Sequence, residues 1–264
     1  MIAVLGAGVM GEVFVAGLIR GGTDPARIVI SEKREERTRE VSERYGVRAL
    51  SPAAAVAEAA TVLLVVKPQD MDDLLREIGP FLTDGAVVIS LAAGIPLSRL
   101  ESAVPAGVAM VRGMPNTPAL VDQGITAIAL GASCSAAQAE YVVQLLSAVG
   151  PVVQVSEDLM DAVTATSGSG PAYVFLLVES MIAAAVDLGL DPDTARQLVT
   201  QTVLGAAAMA ARPGADAATL REQVTSPNGT TAAALATFEA SGFRDLVLAA
   251  MTSARDRGRE LGRP

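Results

Sequence analysis

The apolar run Ile2-Ala3-Val4-Leu5 passes without an intervening residue into Gly6-Ala7-Gly8-Val9-Met10-Gly11, and helix-compatible residues follow to Arg20. A glycine-rich turn alone says little, because such turns are common. Three glycines in this spacing, after a strand and opening a helix, constrain the fold far more. Gly6 permits a tight turn, Gly8 lets the backbone come close to a pyrophosphate, and Gly11 lets helix and strand pack tightly. The helix start then offers free amides and the positive end of its dipole to an anion. The pattern predicts a dinucleotide cradle made of Gly6, Ala7, Gly8, Val9, Met10 and Gly11.

The rest of the chain falls into two grammars. Up to about Val155, short β-branched runs (RIVIS, TVLLVV, AVVISL, VAMVR, ITAIAL) alternate with helical segments, as in βαβ units. Runs such as TVLLVV show no polar alternation, which suits strands covered on both faces. After Glu157 the strand signal stops, and AYVFLLVESMIAAAVDLGL and ARQLVTQTVLGAAAMAAR repeat apolar residues at helical spacing. The expected fold is an α/β Rossmann domain, doubly wound around a mostly parallel sheet, over residues 1–155. An all-α dimerisation domain over 156–264 follows it. The first long helix is too apolar to be covered within one small domain, so a homodimer is expected.

Composition excludes several functions. A single cysteine, Cys134, and no histidine leave no zinc site, no disulfide framework and no histidine catalysis, so no metal is expected. A net charge of −9 with 3% aromatic residues argues against nucleic acid, which needs basic grooves and stacking platforms. The Ser-Gly-Ser-Gly-Pro run at 167–171 interrupts the longest uncharged window, so no membrane span is expected. The first strand begins at Met1 or Ile2, which leaves no room for an export leader; a cytoplasmic location is expected.

Ligands of such folds bind at the carboxyl ends of the strands. Ser31, Glu32, Lys33 and Arg34 close the second strand, and Glu32 stands about 20 residues past the glycines, where the ribose 2′ group should lie. A carboxylate there suits NADH; Ser31, Lys33 and Arg34 argue for NADPH. The sequence leaves open which side chain turns inward, and the balance leans to NADPH with dual use expected. Val65, Val66, Lys67 and Pro68 close the next strand, Ala92 and Ala93 follow the one after, and Asn116 sits between prolines with an amide that can bond a carboxamide or ribose.

One stretch remains, Val224 to Glu239, which opens with Thr225-Ser226-Pro227-Asn228-Gly229-Thr230-Thr231. Helix capping needs one such residue, not a dense run of hydroxyls. With GAGVMG, VVKP (65–68), MPNTPA (114–119) and DAVTATSGSGPAY (161–173), this TSPNGTT run closely resembles the pyrroline-5-carboxylate reductase family, and the match covers essentially the whole chain. The resemblance implies hydride transfer to the C=N carbon of 1-pyrroline-5-carboxylate, giving L-proline, by a dimer often set in a ring of dimers. It also implies residue roles. Thr231 would hydrogen-bond the ring nitrogen as catalytic residue; Ser226, Asn228, Gly229 and Thr230 would hold the carboxylate; Glu157 would lie near bound product; Gln223 would reach the partner's cofactor. Asn228 departs from the family's usual glycine, and asparagine tolerates the left-handed backbone. An imine that is already protonated accepts hydride without a strong acid, so histidine can be absent. Related β-hydroxyacid dehydrogenases use a lysine in the helical half, and no lysine follows Lys67 here; a cofactor-binding sensor would show no turnover.

Overall fold

The computed structural model describes residues 1–262. The chain divides into two compact units, Met1–Ser169 with Ala254–Pro264, and Gly170–Ser253.

The first unit is built on eight strands: β1 (Ile2–Leu5), β2 (Ile28–Ser31), β3 (Arg48–Ala49), β4 (Thr61–Leu64), β5 (Val87–Ser90), β6 (Ala109–Met114), β7 (Thr126–Leu130) and β8 (Val152–Gln154). Their order is β3-β2-β1-β4-β5-β6-β7-β8, and every pairing is parallel except β6 with β7. Helices α1 (Val9–Arg20), α2 (Glu35–Tyr45), α3 (Pro52–Ala57), α4 (Met71–Ile78), α5 (Leu97–Ser102), α6 (Ala136–Leu146) and α7 (Met160–Val163) connect and cover them. This is the expected doubly wound fold. Successive strand residues point to opposite faces. Thus Ile2 and Val4 join Phe14, Ile30, Leu63 and Leu146 in one apolar cluster, while Ala3 and Leu5 join Val62, Leu64, Leu75 and Met110 in the other. That is why TVLLVV can be apolar throughout. The strand order reverses between β1 and β4, so a crevice opens at their carboxyl ends.

The expected boundary at 155 follows the end of the strand signal, whereas packing divides the chain after Ser169. The reason is local. Met160 is fully buried against the β-sheet cluster, with Val155 and Val163 beside it.

The second unit holds α8 (Gly170–Asp187), α9 (Pro192–Ala210), α10 (Ala217–Gln223), α11 (Thr230–Ala240) and most of α12 (Phe243–Leu261). Asp191 and Asp216 cap α9 and α10 by accepting from Thr194 and Thr219 N–H at 3.0 and 2.8 Å. Yet only Ala195 and Val199, both on α9, are buried in this unit. On α8 no residue is buried, and Phe175 and Leu176 are 66% and 63% exposed. One expectation needs correction here. The Ser-Gly-Ser-Gly-Pro run does not break the helical stretch Glu157–Asp187, which is long and apolar enough to cross a membrane by length and composition. Its turns simply widen to a π-helix at Thr164–Gly168 before α8, so backbone bonding continues through the small residues.

Candidate functional site

The crevice beside β1 is a cavity of 680 Å³ lined by Gly6, Gly8, Val9, Ser31, Glu32, Lys33, Arg34, Val65, Val66 and Lys67 of the expected cofactor residues. The three fingerprint glycines differ in what requires them. Gly6 has φ +99°, and a Cβ there would lie 2.6 Å from the Val65 carbonyl oxygen. At Gly11 a Cβ would sit 1.9 Å from the Gly6 carbonyl oxygen. Both are therefore demanded by the chain's own backbone. Gly8 is not: its φ is −65°, and a Cβ would find only the Arg34 side chain, 4.0 Å away. Nothing among the described residues asks for glycine at that position. A pyrophosphate brought against the first turn of α1 does, so the residues present fit the dinucleotide that the sequence implies.

Around this turn the polar groups are tied together. Ala7 is buried; its N–H donates to Glu32 Oε2 at 3.0 Å, and its carbonyl accepts from Arg37 Nε at 2.9 Å. Arg37 in turn pairs with Glu12 on α1 and, at 2.7 Å, with Glu40, and Glu12 accepts from Tyr45 at 3.0 Å. Glu32 Oε1 takes the backbone and side-chain N–H of Arg34 at 3.2 and 3.0 Å. Partial burial pushes the Glu32 carboxyl upward, but the hydrogen bonds from Arg34 and Ala7 outweigh it and hold the group below its ordinary value. The same contest, won by Arg37, Tyr45 and Arg44, lowers Glu12.

Ala7, Met10, Gly11 and Pro68 shape the turn and the β4 exit without lining the cavity; Ala92, Ala93 and Asn116 lie outside it. Asn116 uses its Oδ1 to accept Ile125 N–H at 3.0 Å, which leaves its amide NH₂ free to donate. The sequence reading missed Leu5, Leu50, Ser51, Pro52, Gln69, Asp70 and Leu74, which complete the lining. Ser51 carried a signal: before Pro52 it caps α3, accepting from Ala54 N–H at 3.4 Å.

Glu157 has a structural partner. Its Oε1 lies 2.7 Å from Nη1 of Arg112, a buried residue within β6, and accepts Leu97 N–H at 3.0 Å. Asp161 stands 3.7 Å from the same guanidinium. Gly168 is held close to the MPNTPA loop, where a Cβ would meet Met114 Cε at 2.4 Å.

In the second unit, Gln223 ends α10 and is exposed. The loop after it turns through Asn228 at φ +58°, the left-handed conformation that asparagine tolerates, and closes with Gly229 N–H donating to the Ser226 carbonyl at 3.1 Å. Ser226 approaches so closely that a Cβ on Gly229 would lie 2.4 Å from its Oγ. Helix α11 starts at Thr230 with Gly229 as its cap residue and no side-chain cap. Thr225, by contrast, bonds back to the Arg221 carbonyl at 2.6 Å. Among the described residues the hydroxyls of Ser226, Thr230 and Thr231 find no partner in the chain, so capping does not account for them. The Thr230, Thr231 and Ala232 amides open the helix without intrahelical acceptors.

Two family models match. Residues 157–261 match pyrroline-5-carboxylate reductase dimerisation, and residues 1–94 match the NADP oxidoreductase, coenzyme F420-dependent family. The chain is 42% identical to a pyrroline-5-carboxylate reductase of Corynebacterium melassecola over 99% of its own length and 98% of the relative's. With that of Pseudomonas aeruginosa the identity is 44%, covering 98% and 96%. The structure of a pyrroline-5-carboxylate reductase from Coxiella burnetii superimposes with a TM-score of 0.94 at 36% identity, covering 100% and 98% of the two chains. That of Plasmodium falciparum pyrroline carboxylate reductase, solved with NADP bound, gives 0.88 at 27% identity, covering 99% and 98%.

Proposed function

The chain belongs to the pyrroline-5-carboxylate reductase family, and on that premise we propose that it reduces 1-pyrroline-5-carboxylate to L-proline with NADPH or NADH, the last step of proline synthesis. The observation that carries this reading is the set of uncommitted Ser226, Thr230 and Thr231 hydroxyls and Thr230, Thr231 and Ala232 amides at the start of a helix with no side-chain cap.

The bound dinucleotide supplies a hydride; everything else is work for the chain. The α11 amides and the Ser226 and Thr230 hydroxyls, on a turn kept tight by Asn228 and Gly229, hold the substrate carboxylate, which needs donors and receives the positive end of a helix dipole. The Thr231 hydroxyl sits in the first turn of the same helix. There it accepts from the protonated ring nitrogen and donates once that nitrogen holds a lone pair, so it steers the C=N carbon without transferring a full charge. In unit 1, Gly8 leaves the space for the pyrophosphate; Lys67, Asn116, Ala92 and Ala93 are assigned to the ribose and nicotinamide end. Gln223 is assigned to the cofactor of the partner subunit, and Glu157 supports the product side through Arg112 and Leu97.

The exposed apolar α8 supports a homodimer as the working form, with a ring of dimers as the larger assembly. A cytoplasmic enzyme without membrane or nucleic-acid partner follows from the same reading, α8 being covered by a second subunit. The test is reduction of 1-pyrroline-5-carboxylate by the purified chain and by Thr231→Ala. At least a tenfold loss of turnover with unchanged dinucleotide titration is expected. Equal rates would remove Thr231 from the reaction, and no proline from the parent protein would end the reading.

A further inference from the structure

Two cations and one carboxylate compete at the end of β2 for the ribose 2′ position, and the geometry divides them unequally. Glu32 is turned inward: its side chain is 10% exposed, lines the cavity, and is fixed by two backbone amides, Ala7 N–H at 3.0 Å and Arg34 N–H at 3.2 Å. Lys33 and Arg34 are turned outward, 80% and 67% exposed. Both are already neutralised. Lys33 Nζ is drawn to Asp70 at 3.0 Å, on the β4 side of the cavity, and Arg34 Nε is spent on Glu32 itself. The remaining cation of the lining, Lys67, follows β4, which β1 separates from β2; two strand spacings put it about 9–10 Å from the β2 axis.

We propose that Glu32, not Lys33 or Arg34, decides which dinucleotide this chain takes, and that it selects NADH. The proposal rests on the family reading above only in assuming that a nicotinamide dinucleotide occupies the cavity. An ionised carboxylate has about four acceptor positions. Two go to backbone amides that a ligand cannot displace. A third goes to the Arg34 side chain, which leaves an acceptor position open to an adenosine ribose hydroxyl. A 2′-phosphate finds the same carboxylate held ionised in a half-enclosed site, where like charge is repelled and screening is weak. Lys33 and Arg34 do not offset it in place, since each must first give up the carboxylate that holds it, Asp70 and Glu32. Sequence alone leaned to the opposite donor, with dual use expected, because it counts Ser31, Lys33 and Arg34 against one acid and cannot see that the cations are paired.

The test is equilibrium titration of NADH and NADPH, followed by their fluorescence, on the full-length protein and on Glu32→Gln, Glu32→Ser and Arg34→Ala, with kcat/KM for both donors alongside. The parent is expected to bind NADH at least tenfold more tightly than NADPH. Glu32→Gln keeps an acceptor for Ala7 N–H while removing the charge, and is expected to raise NADPH affinity at least tenfold. Glu32→Ser should also lower NADH affinity, and Arg34→Ala should change NADPH affinity less than threefold. A parent that prefers NADPH, a ratio unmoved by Glu32→Gln, or a large NADPH loss in Arg34→Ala overturns the proposal. Tight, selective NADH binding without reduction of 1-pyrroline-5-carboxylate would instead leave it standing and remove the assigned reaction; failure to bind either dinucleotide overturns both.

Discussion

The turn after β1 and the turn before α11 are both short, glycine-containing entries to a helix, yet they treat their polar groups in opposite ways. At the first, apart from the amides that open α1, the side chains and the Ala7 peptide are engaged with one another: Glu32 and Arg37 hold the two sides of that peptide, and Glu12 holds Arg37. At the second, the Ser226, Thr230 and Thr231 hydroxyls and the first amides of α11 are left over. The difference follows from what stands behind each turn. A sheet buried on both faces supports the first turn, whereas the unit carrying the second buries only Ala195 and Val199. A rigid frame can shape a site by geometry alone, while a thinly covered helix pair leaves its polar groups open.

The strongest way to break this contrast is at Gly8. Gly8→Val should lower dinucleotide affinity at least a hundredfold while leaving the thermal midpoint within a few degrees, because its Cβ meets nothing nearer than 4.0 Å. Gly11→Ala should do the reverse kind of damage and fail to fold, since its Cβ lands 1.9 Å from a carbonyl oxygen. If the two variants behaved alike in calorimetry and in titration, the idea that only Gly8 serves a ligand would be lost. Next in size is association. Leu176→Glu on α8 should convert a dimer to monomers in sedimentation, with the melting of the first unit retained; an unchanged mass would place the subunit contact elsewhere. Smaller again is Arg37→Ala, which frees the Ala7 carbonyl. It should weaken dinucleotide binding about three- to tenfold, since a hydrogen bond from a charged group contributes about 1.5–3 kcal/mol and part is recovered by water.

How much of this could be read from the residues alone depends on the range of the cause. Runs such as Thr61-Val62-Leu63-Leu64 declare buried strands because each face of a parallel sheet needs apolar cover. The glycine spacing declares the cradle because its geometry is local. The two-residue β3 and three-residue β8 were not legible: both are edge strands, with Arg48 and Val153 exposed, so no apolar run marks them. Nor were Leu50, Ser51, Gln69 and Asp70, which reach the cavity only because the order β3-β2-β1-β4 sets their loops beside β1. The role of Glu157 was hidden for the same reason, since its bond to Arg112 spans 45 residues. Orientation was the deepest loss: nothing in Ser31-Glu32-Lys33-Arg34 says that the acid turns in and the bases turn out.

The smallest effect separates the two turns by pH. Glu12 and Glu32 both have carboxyls held below the ordinary 4.5 by their hydrogen-bond donors, whereas residues 224–238 contain no titratable side chain. A carboxylate whose folded pKa is depressed contributes stability that is fully present above its unfolded pKa and is lost as pH falls through the folded one, because the unfolded chain binds more protons in that window. The first unit should therefore lose stability on acidification below about pH 4.5, and Glu12→Gln should flatten that limb. NADH affinity should fall with it, since protonating either carboxyl loosens the Ala7 peptide. The turn before α11 should be indifferent over the same range. Amide exchange measured between pH 3.5 and 5.5 would distinguish them: a steeper acid response around Thr230 than around Ala7 would reverse the assignment of which turn is held by charge.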